Sequence, residues 1–368
     1  DLVNMETLYL FKEFFNKTLG SYNVESRSGH SYLNPEKREN YLFNSTINGI
    51  EDADFVFLVG TNPRYEATIL NARIRKAYLQ NKTKIISLND VGDLTYPYES
   101  LDGDIENIKK IAENNHNISN LIKNAKKPLI IFGQSSLKSE SAKYIFESIK
   151  SFLQENGKIS KEWNSLNIIS ENAATVGGFD LGLYKTEDGS NEVLKDLEKN
   201  RFEIVYLLGA DNIKFEKKNE FIIYQGSHGD KGAEMADIIL PGAAYTEQNG
   251  YFTNLEGKLQ KAYKASYPPE DAKEDWIIIN ELAEAMNHRK LFNDKDELDS
   301  SLLNQVNLFL EKDINNKSSD IKNLKFDKEI LKIINEDYYY SNVIARASKT
   351  MLECKSAKIN LKSTGTEG

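Results

Sequence analysis

The sequence is poor in residues that bind metals or form covalent cross-links. Among its 368 residues there is one cysteine, Cys354, and there are four histidines. A single cysteine cannot form an internal disulfide, which is compatible with a reducing compartment. It also excludes an iron–sulfur cluster held by this chain alone, because such clusters need several thiolates. The histidines are far apart and show no paired metal-ligand spacing, so we predict no metal site: His30, His116, His228 and His288.

The sequence also contains no long apolar run and no excess of positive charge. No stretch approaches the roughly 18 apolar residues of a membrane-spanning helix, so we expect no direct membrane insertion. Lys and Arg total 47 against 56 Asp and Glu, a formal charge of −9, which disfavours nucleic-acid binding. The chain starts with Asp-Leu-Val-Asn, without methionine or a targeting segment, which favours a processed or truncated piece of a longer protein.

Short apolar runs alternate with helical segments along the chain. Residues 54–59 form an apolar run ending at Gly60, residues 66–80 have helical spacing, and residues 84–88 form the next run. Such strand, helix, strand units build parallel sheets, so we predict an α/β fold with doubly wound, largely parallel sheets in two lobes. Further strands are predicted at 127–133, 166–169, 203–209 and 221–224, and further helices at 4–19, 104–124, 139–154 and 272–286.

Composition divides the chain into three parts. We assign residues 1–125 to a first, N-terminally truncated α/β lobe, residues 126–292 to a second α/β lobe, and residues 293–368 to a partly helical extension and tail. In the tail, five residues are spaced like one face of a helix, and the residues from Lys355 onward are predicted to be frayed. The five are Ile344, Ala345, Ala347, Met351 and Leu352.

In residues 236–260 a predicted strand, turns and polar residues follow one another directly. Ala236 to Leu240 predicts a short buried strand, ended by the following Pro-Gly pair, and a turn at 248–250 leads into a second extended run. Asn254, Glu256 and Gln260 can point the same way from an extended chain. They either line a pocket or satisfy backbone groups of a neighbouring loop, which is the commoner role.

Residues 60–64, Gly-Thr-Asn-Pro-Arg, follow a predicted strand and precede a predicted helix. They are either a phosphate cradle at a helix start or an ordinary helix cap, with Thr61 or Asn62 as the capping residue and Pro63 in the first turn. The cap is favoured, since a dinucleotide site needs a glycine-rich turn and this turn has one glycine.

Three further groups of charged residues are candidates for function. Arg73 and Lys76 lie three apart on a predicted helix, either as a basic stripe facing another subunit or as a solvated face. The loop Gly226-Ser-His-Gly-Asp230 superficially suggests a hydrolase, but a local polar turn is favoured because catalytic triads are assembled from separate segments. Glu247 and Glu256 could pair as acid and base, although nothing in the sequence sets their separation.

Several segments taken together resemble a known family. The sequence from Leu58 to Lys76, which includes Gly-Thr-Asn-Pro-Arg-Tyr-Glu and Asn-Ala-Arg-Ile-Arg-Lys, is similar to the large iron–sulfur subunit, 75-kDa or G-type, of NADH:quinone oxidoreductase, respiratory complex I. Further segments match that family in the same order: 93–96, 222–226, 228–230, 236–260 and 346–351. Two residues depart from the family pattern, Thr68 in place of proline and Lys258 in place of arginine, and the second weakens bidentate anion binding there.

The resemblance implies a molybdopterin-oxidoreductase-like fold with a helical C-terminal extension. It implies a scaffold part of complex I without catalytic residues or cofactor, whose iron–sulfur clusters lie in a missing N-terminal region. Implied partners are other peripheral-arm subunits, on the matrix side of the mitochondrial inner membrane or the cytoplasmic side of a bacterial one. The alternative is the C-terminal half of an active molybdopterin-dependent oxidoreductase. The resemblance implies a vestigial cofactor pocket formed by Gly60, Thr61, Asn62, Pro63, Glu247, Gly250, Asn254 and Glu256.

Overall fold

The computed structural model describes residues 2–287, 289–310, 324, 326–334 and 337–364. Its strands are β1 (Phe55–Val59), β2 (Lys84–Ser87), β3 (Glu99–Ser100), β4 (Pro128–Phe132), β5 (Leu166–Ile168), β6 (Ile204–Leu208), β7 (Phe221–Gly226), β8 (Ile238–Pro241), β9 (Gly250–Thr253) and β10 (Leu259–Ala262). Its α-helices are α1 (Met5–Glu13), α2 (Pro63–Glu66), α3 (Thr68–Asn81), α4 (Glu106–Ala112), α5 (Asn117–Asn124), α6 (Gln134–Leu137), α7 (Ala142–Glu155), α8 (Thr175–Asp180), α9 (Glu192–Glu198), α10 (Lys231–Met235), α11 (Asp275–Asn287), α12 (Lys295–Leu310), α13 (Val343–Ala347) and α14 (Lys349–Thr364).

The larger sheet, here called the first sheet, has five parallel strands in the order β3-β2-β1-β4-β5. Every residue of β1 and β4 is buried, because helices cover both faces. Side chains from α4, α5 and α7 pack on one face, and side chains from α3 pack on the other. This confirms the predicted doubly wound parallel architecture, in which apolar strands are covered on both sides.

The second sheet has three parallel strands in the order β6-β7-β8. Helices α1 and α11 pack against one face, and a small cluster around Tyr224 covers the other. Strands β9 and β10 form an antiparallel hairpin. Strand β4 pairs with β1 across residue 125, so the strands do not divide at the predicted boundary between 125 and 126.

Four local predictions are wrong in detail. The predicted helix at 104–124 is two helices, α4 and α5. The strand predicted to be buried at 236–240 is β8, in which Ile238 is 47% and Ile239 55% exposed, because β8 is an edge strand with little packed over it.

The other two errors lie in the tail. The residues expected on one helical face are split between α13 and α14, with Ser348 extended between them. The tail expected to fray after Lys355 is helical to Thr364, and residues 365–368 lie outside the described part. The extension predicted from residue 293 contains α12, and residues 311–323 and 325 also lie outside the described part. None of the helices described is long and apolar enough to cross a bilayer.

Candidate functional site

The loop after β1 is an ordinary helix cap, as the sequence favoured. Asn62 accepts a hydrogen bond from the Arg64 amide at 3.2 Å, and Pro63 occupies the first turn of α2. The Asn62 side chain also donates to the Val91 carbonyl at 3.1 Å. Thr61 is fully buried, and its hydroxyl has no hydrogen-bond partner among the described residues. The loop therefore closes the end of β1 with its own groups.

Glu66 joins the loops that follow β1 and β4. One carboxylate oxygen accepts from the Asn62 amide at 2.8 Å, and the other accepts from the Gln134 amide at 3.1 Å. The side chain of Gln134 then donates to the Ile169 carbonyl, next to β5, at 2.7 Å. The carboxyl ends of three neighbouring strands are thus fixed by one carboxylate and one amide.

We expect Glu66→Ala to destabilise the protein by about 2 kcal/mol, because it leaves two backbone donors without their acceptor. Glu171→Ala is the matched control. Glu171 lies by the same strand ends but pairs only with Lys138 at the surface, and such pairs contribute less than about 1 kcal/mol. Urea unfolding of both variants measures the difference; equal losses would show that the bridging hydrogen bonds of Glu66 contribute nothing.

Residues 326–334, here called the docked segment, fill the carboxyl end of the first sheet. Leu331 is 4% exposed and belongs to the main core. Its backbone donates to the Gly103 carbonyl at 2.8 Å and accepts from the Asn89 side chain at 2.6 Å. A Cβ atom on Gly60 would lie 2.8 Å from Leu331 Cδ2. The leucine therefore occupies the position beside Gly60 where a ligand of a doubly wound sheet would bind.

Further hydrogen bonds hold both ends of the docked segment. The Ile334 amide donates to the Ser135 hydroxyl at 2.8 Å, and the Ile105 amide donates to the Glu329 carbonyl at 3.2 Å. The Ser141 amide donates to the Glu329 carboxylate at 3.2 Å. These contacts attach the segment to α6, the start of α4 and the start of α7, so it is an integral part of the first sheet's core.

A cleft of about 670 Å³ remains beside the docked segment, between the two sheets. It is lined by Glu66, Gln134 and residues 169–172 from the first sheet's strand ends, by Asn212 and Lys214 from the loop after β6, and by the tail between Asp337 and Met351. An adjoining cavity of about 510 Å³ shares Glu66 and residues 169–172 and is lined also by Asn254 and Gln260. We call these the strand-end cleft and the side cavity.

The described residues of the strand-end cleft offer no set of side chains that would hold a metal cofactor. Two of its cationic side chains are paired within the chain, Lys138 with Glu171 at 2.8 Å and Arg346 with Asp230, and the His30 ring is hydrogen-bonded to Glu198 at 2.7 Å. The carboxylates of Glu66, Glu171 and Asp337 also line the cleft, and Glu171 and Asp337 are paired with Lys138 and Lys355. Cys354 is exposed outside it, and no three of the described His, Cys, Asp and Glu residues are arranged to hold a metal.

The predicted pocket residues from the hairpin region, Glu247, Gly250, Asn254 and Glu256, do not line one common pocket. Glu247 accepts from the Ala244 amide at 2.9 Å, and Gly250 packs so tightly against Asn4 that an added Cβ would clash with the asparagine side chain. Asn254 caps the hairpin turn and borders the side cavity. Glu256 accepts from the Ile47 amide at 2.6 Å. Asn254 and Glu256 satisfy backbone groups, Asn254 and Gln260 also line the side cavity, and Glu247 and Glu256 bind the amides of different loops.

The other charged candidates are also engaged in structure. Arg73 and Lys76 both pair with Glu51, at 2.5 and 2.6 Å. His228 is hydrogen-bonded to the neighbouring Ser227 hydroxyl at 2.9 Å, which agrees with a local polar turn. Asp230 caps α10 and pairs with Arg346 in the tail.

A buried carboxylate at the carboxyl end of the second sheet was missed from the sequence. The Asp275 carboxylate accepts from the side-chain amide of Gln225 at 2.9 Å and from the side-chain amide of Gln248 at 2.8 Å. These bonds join β7, the turn after β8 and the start of α11. Burial raises the pKa of Asp275 to about 6, the two amide donors oppose the rise, and nearby Asp211 adds to it. The tail residues Val343 and Ile344 border the small cavity beside this group.

Stability should respond to the protonation of Asp275. The folded protein binds this proton more readily than the unfolded chain, so Asp275 favours folding as pH falls through about 6 toward 4, and this benefit is lost as pH rises. The difference from the ordinary pKa corresponds to about 3 kcal/mol. We therefore expect the free energy of unfolding of Asp275→Asn, measured with urea, to rise by about 3 kcal/mol relative to that of the wild type between pH 4 and pH 7. The free energy of unfolding of the exposed control variant, Asp271→Asn, should change with pH as that of the wild type does. If Asp275→Asn shows this same pH dependence, Asp275 is not the group responsible.

Comparison with known proteins places the chain in a family. The family model described as molybdopterin oxidoreductase matches residues 1–285. The model of the C-terminal part of the G-type subunit of NADH-ubiquinone oxidoreductase matches residues 305–354. The second match includes the tail that lines the strand-end cleft.

Similar curated proteins agree with both matches. The chain is 36% identical to the NADH-ubiquinone oxidoreductase 75 kDa subunit of Reclinomonas americana, over 97% of this chain and 54% of the relative. It is 36% identical to the G-type subunit of NADH-quinone oxidoreductase of Rickettsia bellii, over 99% of this chain and 53% of the relative. It is also 36% identical to the mitochondrial 78 kDa subunit of Candida albicans, over 96% of this chain and 50% of the relative. The chain thus spans about half the length of these relatives.

A solved structure of a formyltransferase/hydrolase complex from Methylorubrum extorquens superposes with a TM-score of 0.46 at 10% identity, covering 78% of this chain and 84% of that one, a likeness too distant to bear on function. The sequence relationships are much stronger. The chain belongs to the molybdopterin oxidoreductase family, in the group of the 75-kDa and G-type subunits of NADH-quinone oxidoreductase.

Proposed function

We propose that this chain is the molybdopterin-like scaffold part of a complex I large subunit and binds no molybdenum or pterin. The docked segment supports the proposed absence of molybdenum and pterin. Leu331 and Ile334 lie against Gly60 and Ser135, at the strand ends where ligands of this architecture bind. A cofactor there would have to displace a buried leucine and several hydrogen bonds.

The electron-transfer role then belongs to the assembly. Iron–sulfur clusters would be held in the part of the full-length subunit that this chain does not span, since one cysteine cannot hold them. The curated relatives are named as subunits of NADH-quinone oxidoreductase, which supports partners among the other peripheral-arm subunits. The side of the membrane would be the mitochondrial matrix or the bacterial cytoplasm.

Co-purification tests the assembly. The full-length subunit, tagged at its C terminus, should be recovered from mildly solubilised membranes in a large complex that oxidises NADH and reduces quinone. Recovery only as a free protein, with the activity in other fractions, would contradict membership of the complex. The alternative function, one half of an active molybdopterin-dependent enzyme, predicts instead that the tagged protein contains molybdenum.

A further inference from the structure

Helix α3 presents an exposed stripe on its outer side. Ile69, Ala72, Lys76 and Leu79 are spaced three and four residues apart, so they lie along one side of the helix. Ile69 is 70% exposed and Leu79 is 52% exposed. The opposite side of α3, which includes the buried Ile74, packs on the first sheet. The spacing of the outer stripe is the spacing at which one helix contacts another.

The outer side of α3 is also positively charged. Arg73 and Arg75 lie on either side of the stripe, Lys76 lies within it, and the helix contains no Asp or Glu. Among the described residues, Glu51 is the one carboxylate paired with these cations, at 2.5 Å from Arg73 and 2.6 Å from Lys76. Arg75 is exposed and donates to the Thr95 carbonyl at 3.2 Å. Three cations against one carboxylate make a positive patch on a chain whose formal charge is −9.

The stripe leads into the side cavity at the start of α3. Ile69 lines this cavity together with Phe252 and Leu255 from the hairpin. Its volume of about 510 Å³ is ample for an inserted side chain. An apolar side chain placed there would contact these three residues. The stripe, its flanking arginines and the side cavity therefore form one continuous surface, here called the α3 surface.

The charge and shape of the α3 surface select its occupant. A second copy of the surface would bring two positive helices together, which like-charge repulsion disfavours. A helix that lies on a membrane has a broad apolar face, whereas this stripe is narrow and Lys76 interrupts it. An amphipathic helix with carboxylates beside its apolar residues fits both the stripe and the flanking cations.

We propose that the α3 surface binds an amphipathic helix of another subunit. Carboxylates of that helix pair with Arg75 and Lys76, and one of its apolar side chains enters the side cavity beside Ile69. The apolar contacts supply binding energy, and the charges set the orientation of the partner helix. This inference rests on the proposed function, because it needs the other subunits of the assembly.

Photo-cross-linking in the assembled complex tests the occupant. Leu79→p-benzoylphenylalanine places the probe on an exposed side chain, so the fold should tolerate it. We expect a cross-link to one other subunit, in a peptide with Asp or Glu within about one helical turn of the linked residue. A cross-link to a peptide without such an acid, to lipid, to a second copy or to this chain itself would overturn the proposal, as would the absence of any cross-link.

Charge reversal tests the role of the cations. Adding Arg75→Glu to the probe variant should lower the yield of this cross-link by at least about threefold. Lys290→Glu is the matched control, since it makes the same change of charge at an exposed residue between α11 and α12, and it should leave the yield unchanged. Equal yields from the two double variants would overturn the proposal.

The two proposals can fail separately. If the tagged subunit enters the complex but the probe gives no cross-link to another subunit, the α3 surface is not an interface and the proposed function stands. If the subunit is not recovered in the complex at all, the proposed function and this inference both fail.

Discussion

Gly60→Ala should lower the free energy of unfolding by more than about 3 kcal/mol or prevent folding. Gly60 has φ +60°, and an added Cβ would lie 2.5 Å from the Ser136 backbone nitrogen as well as against Leu331. A left-handed conformation costs alanine about 1–2 kcal/mol, and the clash with a backbone atom adds to this because α6 cannot move aside cheaply.

Gly20→Ala is the matched control for Gly60. Its φ of +64° is nearly the same, but no heavy atom lies within 4 Å of the added Cβ. We therefore expect Gly20→Ala to lower the free energy of unfolding by about 1 kcal/mol, from backbone strain alone. Urea midpoints of the two variants separate strain from packing; equal losses would mean that the packing of α6 and the docked segment against β1 is not as described.

Leu331→Asn should release the docked segment from the first sheet. The substitution places an unpaired amide among apolar side chains, at a cost of about 3–5 kcal/mol. The segment can avoid this cost by detaching. We expect the Leu331 position, whose amide bonds to the Gly103 carbonyl, to exchange its amide hydrogen about 100-fold faster and the segment to become sensitive to proteases.

Ile330→Asn is the control for this second variant. Ile330 is the neighbouring residue and is 67% exposed, so its replacement should leave exchange and proteolysis close to wild type. The contrast between adjacent positions tests the orientation of the segment. Similar behaviour of both variants would indicate that Leu331 does not anchor it.

Much of the fold could be predicted from local sequence patterns. Apolar runs that end in glycine marked β1, β4 and β6 correctly, and β1 and β4 are the two of these that are buried throughout. The cap at Asn62 was also predicted, because a capping side chain acts over a few residues. The turn predicted at 248–250 lies at 245–248, and Gly250 already belongs to β9. The burial of β8 was predicted wrongly because its apolar sequence shows only strand propensity. Its position at the edge of the sheet is visible only in the strand order.

The contents of the site could not be predicted in the same way. Leu331 reaches Asn89 across 242 residues of sequence, and nothing in the residues around Leu331 indicates that destination. Asp275 resembles any acidic residue at a helix start, and its burial depends on Gln225 and Gln248 from other elements. The resemblance pointed to the loop after β1, whereas the segment that lies against this loop is visible only in three dimensions.

The contacts at the strand ends are made within the chain. The strand ends are held by Glu66 and Gln134 and filled by Leu331, while the hairpin turn around Glu256 braces the loop at Ile47.

Metal and pterin analysis of the purified full-length subunit in its assembly tests this account most directly. Molybdenum and tungsten would be measured by mass spectrometry, and pterin by the fluorescence of its released, oxidised form. The account predicts far less than one equivalent of each per subunit, whatever the iron content of the assembly. A stoichiometric amount of either metal or of pterin would contradict it, since the docked segment would then have to share the strand ends with a cofactor.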